Sequence, residues 1–312
     1  MWDIIQNVLP VFMIMGGGYL AARTGYIKAD ISDNLNALAV KIAVPILLFK
    51  AMYELDFAQA FYAPMLISFY AGAIGSFVLG IILARMVWKR RPGEAVAVGF
   101  CALFSNTVLL GIPIYQRAFG EDALAPVFGI IAFHAGLAYC LGIIVMELAR
   151  RDGRPLDETF WNALKSIVSN PLMIGVIIGA TLNLFAVVIP EPVSTAVNMV
   201  AGAAIPIALI GVGAALTRYQ FGSEISESLM VSSLSLIVHP VIALVLSHYV
   251  FGLPIEYVQA AVVIAAMPPG LNIYIFAAMY NRAVSLSAST LIVSTLLSVV
   301  TITGWLFIVR SL

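Results

Sequence analysis

The sequence predicts an all-α integral membrane protein of ten transmembrane helices, arranged as two inverted five-helix repeats. Three observations predict it. The 312 residues are 62% hydrophobic and only 10% charged. A soluble domain carries about 25% charged residues, so this chain has too few to clothe a water-facing surface. Its apolar runs have the length of a bilayer crossing, roughly 20 residues each. Interruptions by Pro, Gly and Asn recur at matching places in the two halves. The formal net charge of zero points to no nucleic acid or acidic partner.

The runs fall at 3–22, 31–51, 60–87, 94–119, 123–148, 164–188, 192–216, 228–251, 256–280 and 284–309. The N-terminus lacks a basic n-region and a small-residue cleavage site, so 3–22 reads as the first span and not as a removed signal. Residues 1–150 form the first repeat, 151–163 a polar cytoplasmic linker, and 164–312 the second repeat. Trp2, Trp88, Trp161 and Trp305 all lie at span ends, where an amphipathic ring favours the headgroup layer. Cys101 and Cys140 lie inside apolar stretches and read as small buried hydrophobes.

Orientation follows from the basic residues. Connections after the odd spans, with their flanking turns, hold Arg23, Lys28, Arg85, Lys89, Arg90, Arg91, Arg150, Arg151, Arg154, Lys165, Arg218 and Arg282. The opposite side holds Lys50, Arg117 and Arg310. The positive-inside rule then puts the odd connections in the cytoplasm and both termini outside.

The repeat is visible in two offsets. Pro45 in span 2 matches Pro206 in span 7 at an offset of 161. Ala102-Leu103-Phe104-Ser105-Asn106 in span 4 matches Ile264-Ala265-Ala266-Met267-Pro268 in span 9 at an offset of 162. Five spans per half is an odd number, so the halves enter the membrane in opposite directions. Corresponding interruptions in inverted halves point to a transporter's central site. Span 4 has Asn106, Gly111 and Pro113 near its centre, and span 9 has Pro268, Pro269, Gly270 and Asn272. Unwound backbone in hydrocarbon costs several kcal/mol per unpaired group, so such breaks must be buried in protein or line a wet cavity. Crossed half-helices would offer N-terminal N–H groups to an anion. The side-chain amides of Asn106 and Asn272 both donate and accept. The alternative is a pair of proline kinks with no ligand.

Span 4, reading Asn106-Thr107-Val108-Leu109-Leu110-Gly111-Ile112-Pro113, and span 9, reading Met267-Pro268-Pro269-Gly270-Leu271-Asn272-Ile273-Tyr274, carry a family resemblance. So do Gly17-Gly18-Tyr19, Gly25-Tyr26-Ile27, Leu35-Asn36 and Pro45. The chain resembles the auxin efflux carrier family, in its compact bacterial type. The resemblance implies a fold similar to bile-acid symporters, with crossing helices 4 and 9. It implies a scaffold of spans 1, 2, 6 and 7, which is also the expected homodimer interface. Spans 3–5 and 8–10 would form a transport unit moving elevator-fashion in a bacterial inner membrane. It further implies a secondary carrier for a small organic anion such as a carboxylate, held at Asn106, Thr107, Pro113, Pro268, Pro269 and Asn272. The span 4 motif of the plant exporters is not reproduced here.

Lys41 lies about ten residues into span 2, where a charge costs about 2.5–3.5 kcal/mol on insertion scales. Asn34, Leu38, Lys41 and Pro45 are spaced for one helical face, so Lys41 is expected to face the transport unit and select a carboxylate; snorkelling is the other reading. Acidic residues cluster at span ends, so no central carboxylate is available for proton coupling. Ser105, His134 and Ser289 are the candidates for a cation or proton site, alongside the hydroxyls of Thr107, Ser287 and Thr290. His134 and His239 either relay protons or hydrogen-bond between helices. Neither His-Glu-x-x-His nor Gly-x-Ser-x-Gly occurs, so no enzyme, cofactor or metal is expected. A ligand sensor without transport and a sodium-coupled symporter of the same fold stay open beside the carrier.

Overall fold

The computed structural model describes residues 2–150, 161, 169, 171–217 and 224–312. Trp161 apart, the linker expected at 151–163 lies outside the described residues, as do Lys165 and Arg218 of the orientation tally. The described chain is helical, with one isolated β-bridge. In the first half, α1 is Trp2–Arg23, and α2 (Ala29–Leu38) joins α3 (Val44–Tyr53) through a π-helical turn at Ala39–Ala43. The short α4 (Phe57–Ala60) precedes α5 (Ala63–Met86). The fourth run is split into α6 (Pro92–Leu103) and α7 (Ile112–Phe119), followed by α8 (Ala125–Arg150). In the second half come α9 (Pro171–Leu184) and α10 (Glu191–Leu216). Next are α11 (Ile225–Ser233) and α12 (His239–Leu244), with π turns at Leu234–Val238 and Val245–Val250. The ninth run is split into α13 (Ile255–Ala265) and α14 (Asn272–Tyr280), and α15 (Val284–Ser311) closes the chain.

Among the described residues, five stretches are long and apolar enough to cross a membrane: Ala63–Met86, Asp122–Ala149, Glu191–Leu216, Ile225–Val250 and Val284–Ser311. By contrast α6 and α13 hold 12 and 11 residues. At 1.5 Å per residue each covers about half of the ~30 Å hydrocarbon core. Local chemistry sets the starts. Pro92 occupies the first turn of α6, where its missing N–H costs nothing, and the Arg91 N–H donates to Glu94 Oε2 at 3.0 Å as a cap.

Packing gathers most helices into two sets, which meet where α1 packs on α7 and α15. α1 lies along α10, α3 packs on α9 and α10, and α2 packs on α10. The other set joins α5 to α6, α12 and α13, α8 to α6, and α15 to α11 and α14. In the first set Gly175 of α9 meets the Pro45 backbone so closely that a Cβ would overlap its carbonyl. In the second, Arg90 ties the end of α5 to the start of α11. Its guanidinium donates to Glu227 at 2.7 Å and to Glu224 at 3.2 Å, with the Glu227 side chain wholly buried. A buried carboxylate survives only when paired and hydrogen-bonded, so Arg90 is a structural requirement of that junction.

The even helical face expected through span 2 is not what forms. Asn34, Leu38 and Lys41 are exposed, while Pro45 is buried. The reason is the π turn, in which the Val44 N–H donates to the Ala39 carbonyl five residues back. Each such turn inserts one residue into the 3.6-residue register, and the residues after it rotate relative to those before.

Candidate functional site

Both interruptions are present, and they pair with each other. α6 ends as Phe104 turns to extended backbone (φ −93°, ψ 98°). Residues 266–271 are non-helical between α13 and α14. Ser105 and Pro269 form an antiparallel bridge, and the Asn106 N–H donates to the Pro268 carbonyl at 2.8 Å. Each break thus satisfies backbone groups that the other leaves open, which is how unwound chain is tolerated at membrane depth. Gly270 eases this approach, since a Cβ there would lie 3.3 Å from both Cβ and Cγ of Asn106, and the asparagine would have to give by a few tenths of an ångström.

A cavity of about 400 Å³ opens beside the paired breaks, within the range of small-molecule sites. Its polar lining is Ser105, Asn106, Thr107, His134, Tyr139 and Asn272, with Gly270 between them. Apolar walls come from both helix sets: Val40, Val44 and Leu48 of span 2, Met173 and Val176 of α9, Val212 of α10, and Ile131, Ile275 and Met279 opposite.

Each break has an asparagine at the start of the helical segment that follows it. Asn106 caps the π-helical turn Thr107–Gly111, and its Oδ1 accepts the Leu109 N–H at 3.2 Å. Asn272 opens α14, and its Oδ1 accepts the Tyr139 hydroxyl at 3.0 Å. In both, the carbonyl oxygen accepts one hydrogen bond from the protein, which fixes the orientation of the amide. Two helical segments also begin here, with their N–H groups and positive dipole ends. The arrangement is donor-rich and suited to a carboxylate. Behind it Tyr139 rests on an aromatic floor: Phe100 and Phe276 stack at 3.8 Å, with Tyr139 5.5 Å from Phe100 and 5.7 Å from Phe104.

Of the residues singled out in the sequence, Ser105, Asn106, Thr107, His134 and Asn272 come together in this cavity. Pro268 and Pro269 shape the break through backbone pairing and do not line the space. Pro113 is buried in the first turn of α7, where proline needs no donor, and the break lies upstream of it at 104–106. Lys41 is exposed and outside the lining; Val40 and Val44 face the cavity from its helix. Ser289 is buried in α15, away from the lining. Several hydroxyls of α15 bond back to their own helix, as Ser294 does to the Thr290 carbonyl and Thr295 to that of Leu291, both at 2.6 Å; these serve packing. Tyr139 was not among the expected residues. A tyrosine within an apolar span must find a partner for its hydroxyl, and that signal points to it.

Known proteins agree with this architecture. The family described as membrane transport protein matches residues 3–169 and 157–306. The "Putative malonate transporter" of Rhizobium meliloti is 26% identical over 311 residues, covering 100% of this chain and 97% of the relative. The "Uncharacterized transporter YfdV" of Escherichia coli is 26% identical, covering 98% of each. "Auxin efflux carrier component 8" of Arabidopsis thaliana is 18% identical, covering 98% of this chain and 97% of the plant protein. Paired helix breaks beside a central cavity and family matches that together run from residue 3 to residue 306 lead to one assignment: the chain belongs to the membrane transport protein family, that of the auxin efflux carriers.

Proposed function

We propose that this protein is a secondary carrier for a small carboxylate, bound at the paired breaks and moved by elevator-type alternating access. The observation that supports the reading is the pair of asparagines that line the cavity at the paired breaks, each with its Oδ1 already accepting a hydrogen bond. Preorganised donors in a largely apolar pocket favour an anion with a compact polar head. The name of the Rhizobium meliloti relative supports malonate as the first cargo to try.

The ten-span, inverted-repeat reading has its support in the offsets of 161 and 162 and in a break within each of the fourth and ninth runs. The division into scaffold spans 1, 2, 6 and 7 and transport spans 3–5 and 8–10 is supported by the two packing sets, with walls of the cavity drawn from both. Asn106, Thr107 and Asn272 hold the cargo; Pro268 and Pro269 hold the geometry. The excess of basic residues on the odd connections supports an orientation with both termini outside.

Counterflow tests this. Purified protein is placed in liposomes loaded with unlabelled malonate, and labelled malonate is added outside. Exchange beyond that of empty liposomes is expected, with labelled auxin and labelled succinate run beside it. Exchange of none of the three removes the carboxylate reading, and binding without exchange turns the protein into a sensor.

A further inference from the structure

His134 lines the cavity from α8 with 2% of its surface exposed. Its Nε2 accepts the Ser105 N–H at 3.2 Å, which puts the single proton of the neutral ring on Nδ1. That Nδ1 has no hydrogen-bond partner, and neither has the buried Ser105 Oγ. The imidazole is wrapped by Phe104 at 4.8 Å and by Phe69 of α5 at 5.5 Å.

Each titratable group around it is already engaged or uncharged. Tyr70 of α5 lies 6.3 Å away with its hydroxyl donated to the Ile130 carbonyl. Tyr139, on the same helix, donates to Asn272. Beyond Phe69, His239 of α12 shares its Nε2 with the Phe69 carbonyl at 3.0 Å. Among the described residues no Asp, Glu, Lys or Arg lines the cavity. A proton on His134 therefore meets no counter-charge in the protein, and a carboxylate held by Asn106 and Asn272 meets none either. Each charge alone is costly to bury, and the two together compensate.

We propose that His134 takes up one proton with the cargo carboxylate and releases it on the far side, making this protein a proton–carboxylate symporter. The inference rests on the carboxylate reading of the same cavity. The proton comes from water on the loading side, adds to the Nε2 lone pair, and leaves to water on the unloading side; no bond of the cargo changes. The new Nε2–H faces the Ser105 N–H donor to donor, so Ser105 gives up this acceptor and turns its N–H to the arriving carboxylate. Proton and cargo each tighten the binding of the other, by the same factor.

The test uses the full chain in liposomes and labelled malonate, with the membrane potential clamped at zero. With the outside one pH unit more acid than the lumen, wild type accumulates malonate up to ~10-fold, the limit for one proton per cargo, and a lumenal pH dye reports acidification on malonate addition. His134→Gln, which retains an acceptor for the Ser105 N–H, loses that accumulation. Wild-type counterflow with no response to the pH gradient, or accumulation that survives in His134→Gln, overturns the proposal and leaves the carboxylate reading standing. Absence of counterflow for every carboxylate tested overturns both. A second readout is independent of any variant. The chain has three histidines, and ring-15N spectra of wild type should show one imidazolium appear when malonate binds. An unchanged ring spectrum at saturating malonate overturns the proposal.

Discussion

Tyr139→Phe removes one oxygen atom and tests how the site is aimed. The hydroxyl donates to Asn272 Oδ1 at 3.0 Å and so fixes which end of that amide faces the cavity. Loss of one neutral hydrogen bond is worth about 0.5–1.5 kcal/mol. Because the bond orients a binding group, that loss falls on the cargo, and at 1.4 kcal/mol per tenfold it corresponds to about 2- to 12-fold weaker carboxylate binding. A freed amide can also rotate and present its oxygen to the anion. The ring itself keeps its packing on Phe100, Phe104 and Phe276, so the apparent melting temperature should hold. The assay is calorimetric titration of purified protein with malonate and with its neutral diamide. Malonate should weaken more than the diamide, since an amide guest can pair with either end of Asn272. Unchanged malonate affinity, or equal loss for both ligands, would refute the claim that Tyr139 aims the donor.

Other consequences follow from the same geometry. Asn106→Ala and Asn272→Ala should each cut malonate counterflow by at least about tenfold, as expected for a charge-assisted hydrogen bond of about 1.5–3 kcal/mol, with normal yield of folded protein; normal exchange in both would displace the site. Arg90→Met strands the buried Glu227 carboxylate and should cost about 3–5 kcal/mol, seen as a lowered apparent melting temperature at fixed scan rate. Arg90→Met with Glu227→Met should recover most of it, and a double variant no better than the single one would argue against stranding. Arg117 of α7, in transport span 4 of the proposed division, donates to the Gln6 carbonyl of α1, in scaffold span 1, at 3.3 Å. Cysteines at these two positions, in a chain whose native Cys101 and Cys140 are replaced, should stop counterflow when oxidised and restore it on reduction. Exchange at full cross-linking would rule out relative movement there. Lys41→Met, outside the cavity lining, should leave malonate affinity within about twofold, measured by the same titration.

The helix breaks were legible because Pro and Gly act locally. Two adjacent prolines followed by Gly270 remove successive donors and weaken a helix more than a lone proline does, as Pro206 inside α10 shows by contrast, so the interruption of span 9 needs no partner to predict it. In span 4 the same logic pointed at Pro113, and the break came at 104–106. There the helix ends because Ser105 and Asn106 are paired with Pro269 and Pro268, a contact more than 160 residues away that no local pattern encodes. Lys41 shows the opposite failure. Its spacing put it on one face with Pro45, but a π turn at Ala39–Ala43 broke the 3.6-residue register between them, and π turns leave no periodic mark.

The class of protein, a helical membrane protein, was determined by composition and run length alone. Hydrocarbon demands apolar surface and internal backbone pairing over a known thickness, and those demands are written residue by residue. The orientation of the Asn106 and Asn272 amides, the orphaned Nδ1 of His134 and the role of Tyr139 were decided only by tertiary structure. A side-chain amide can face either way until Leu109 or Tyr139 occupies its oxygen. Donor direction is a property of the packed neighbourhood, where direct hydrogen-bond geometry operates at about 3 Å, and chain order says nothing about which groups will lie that close.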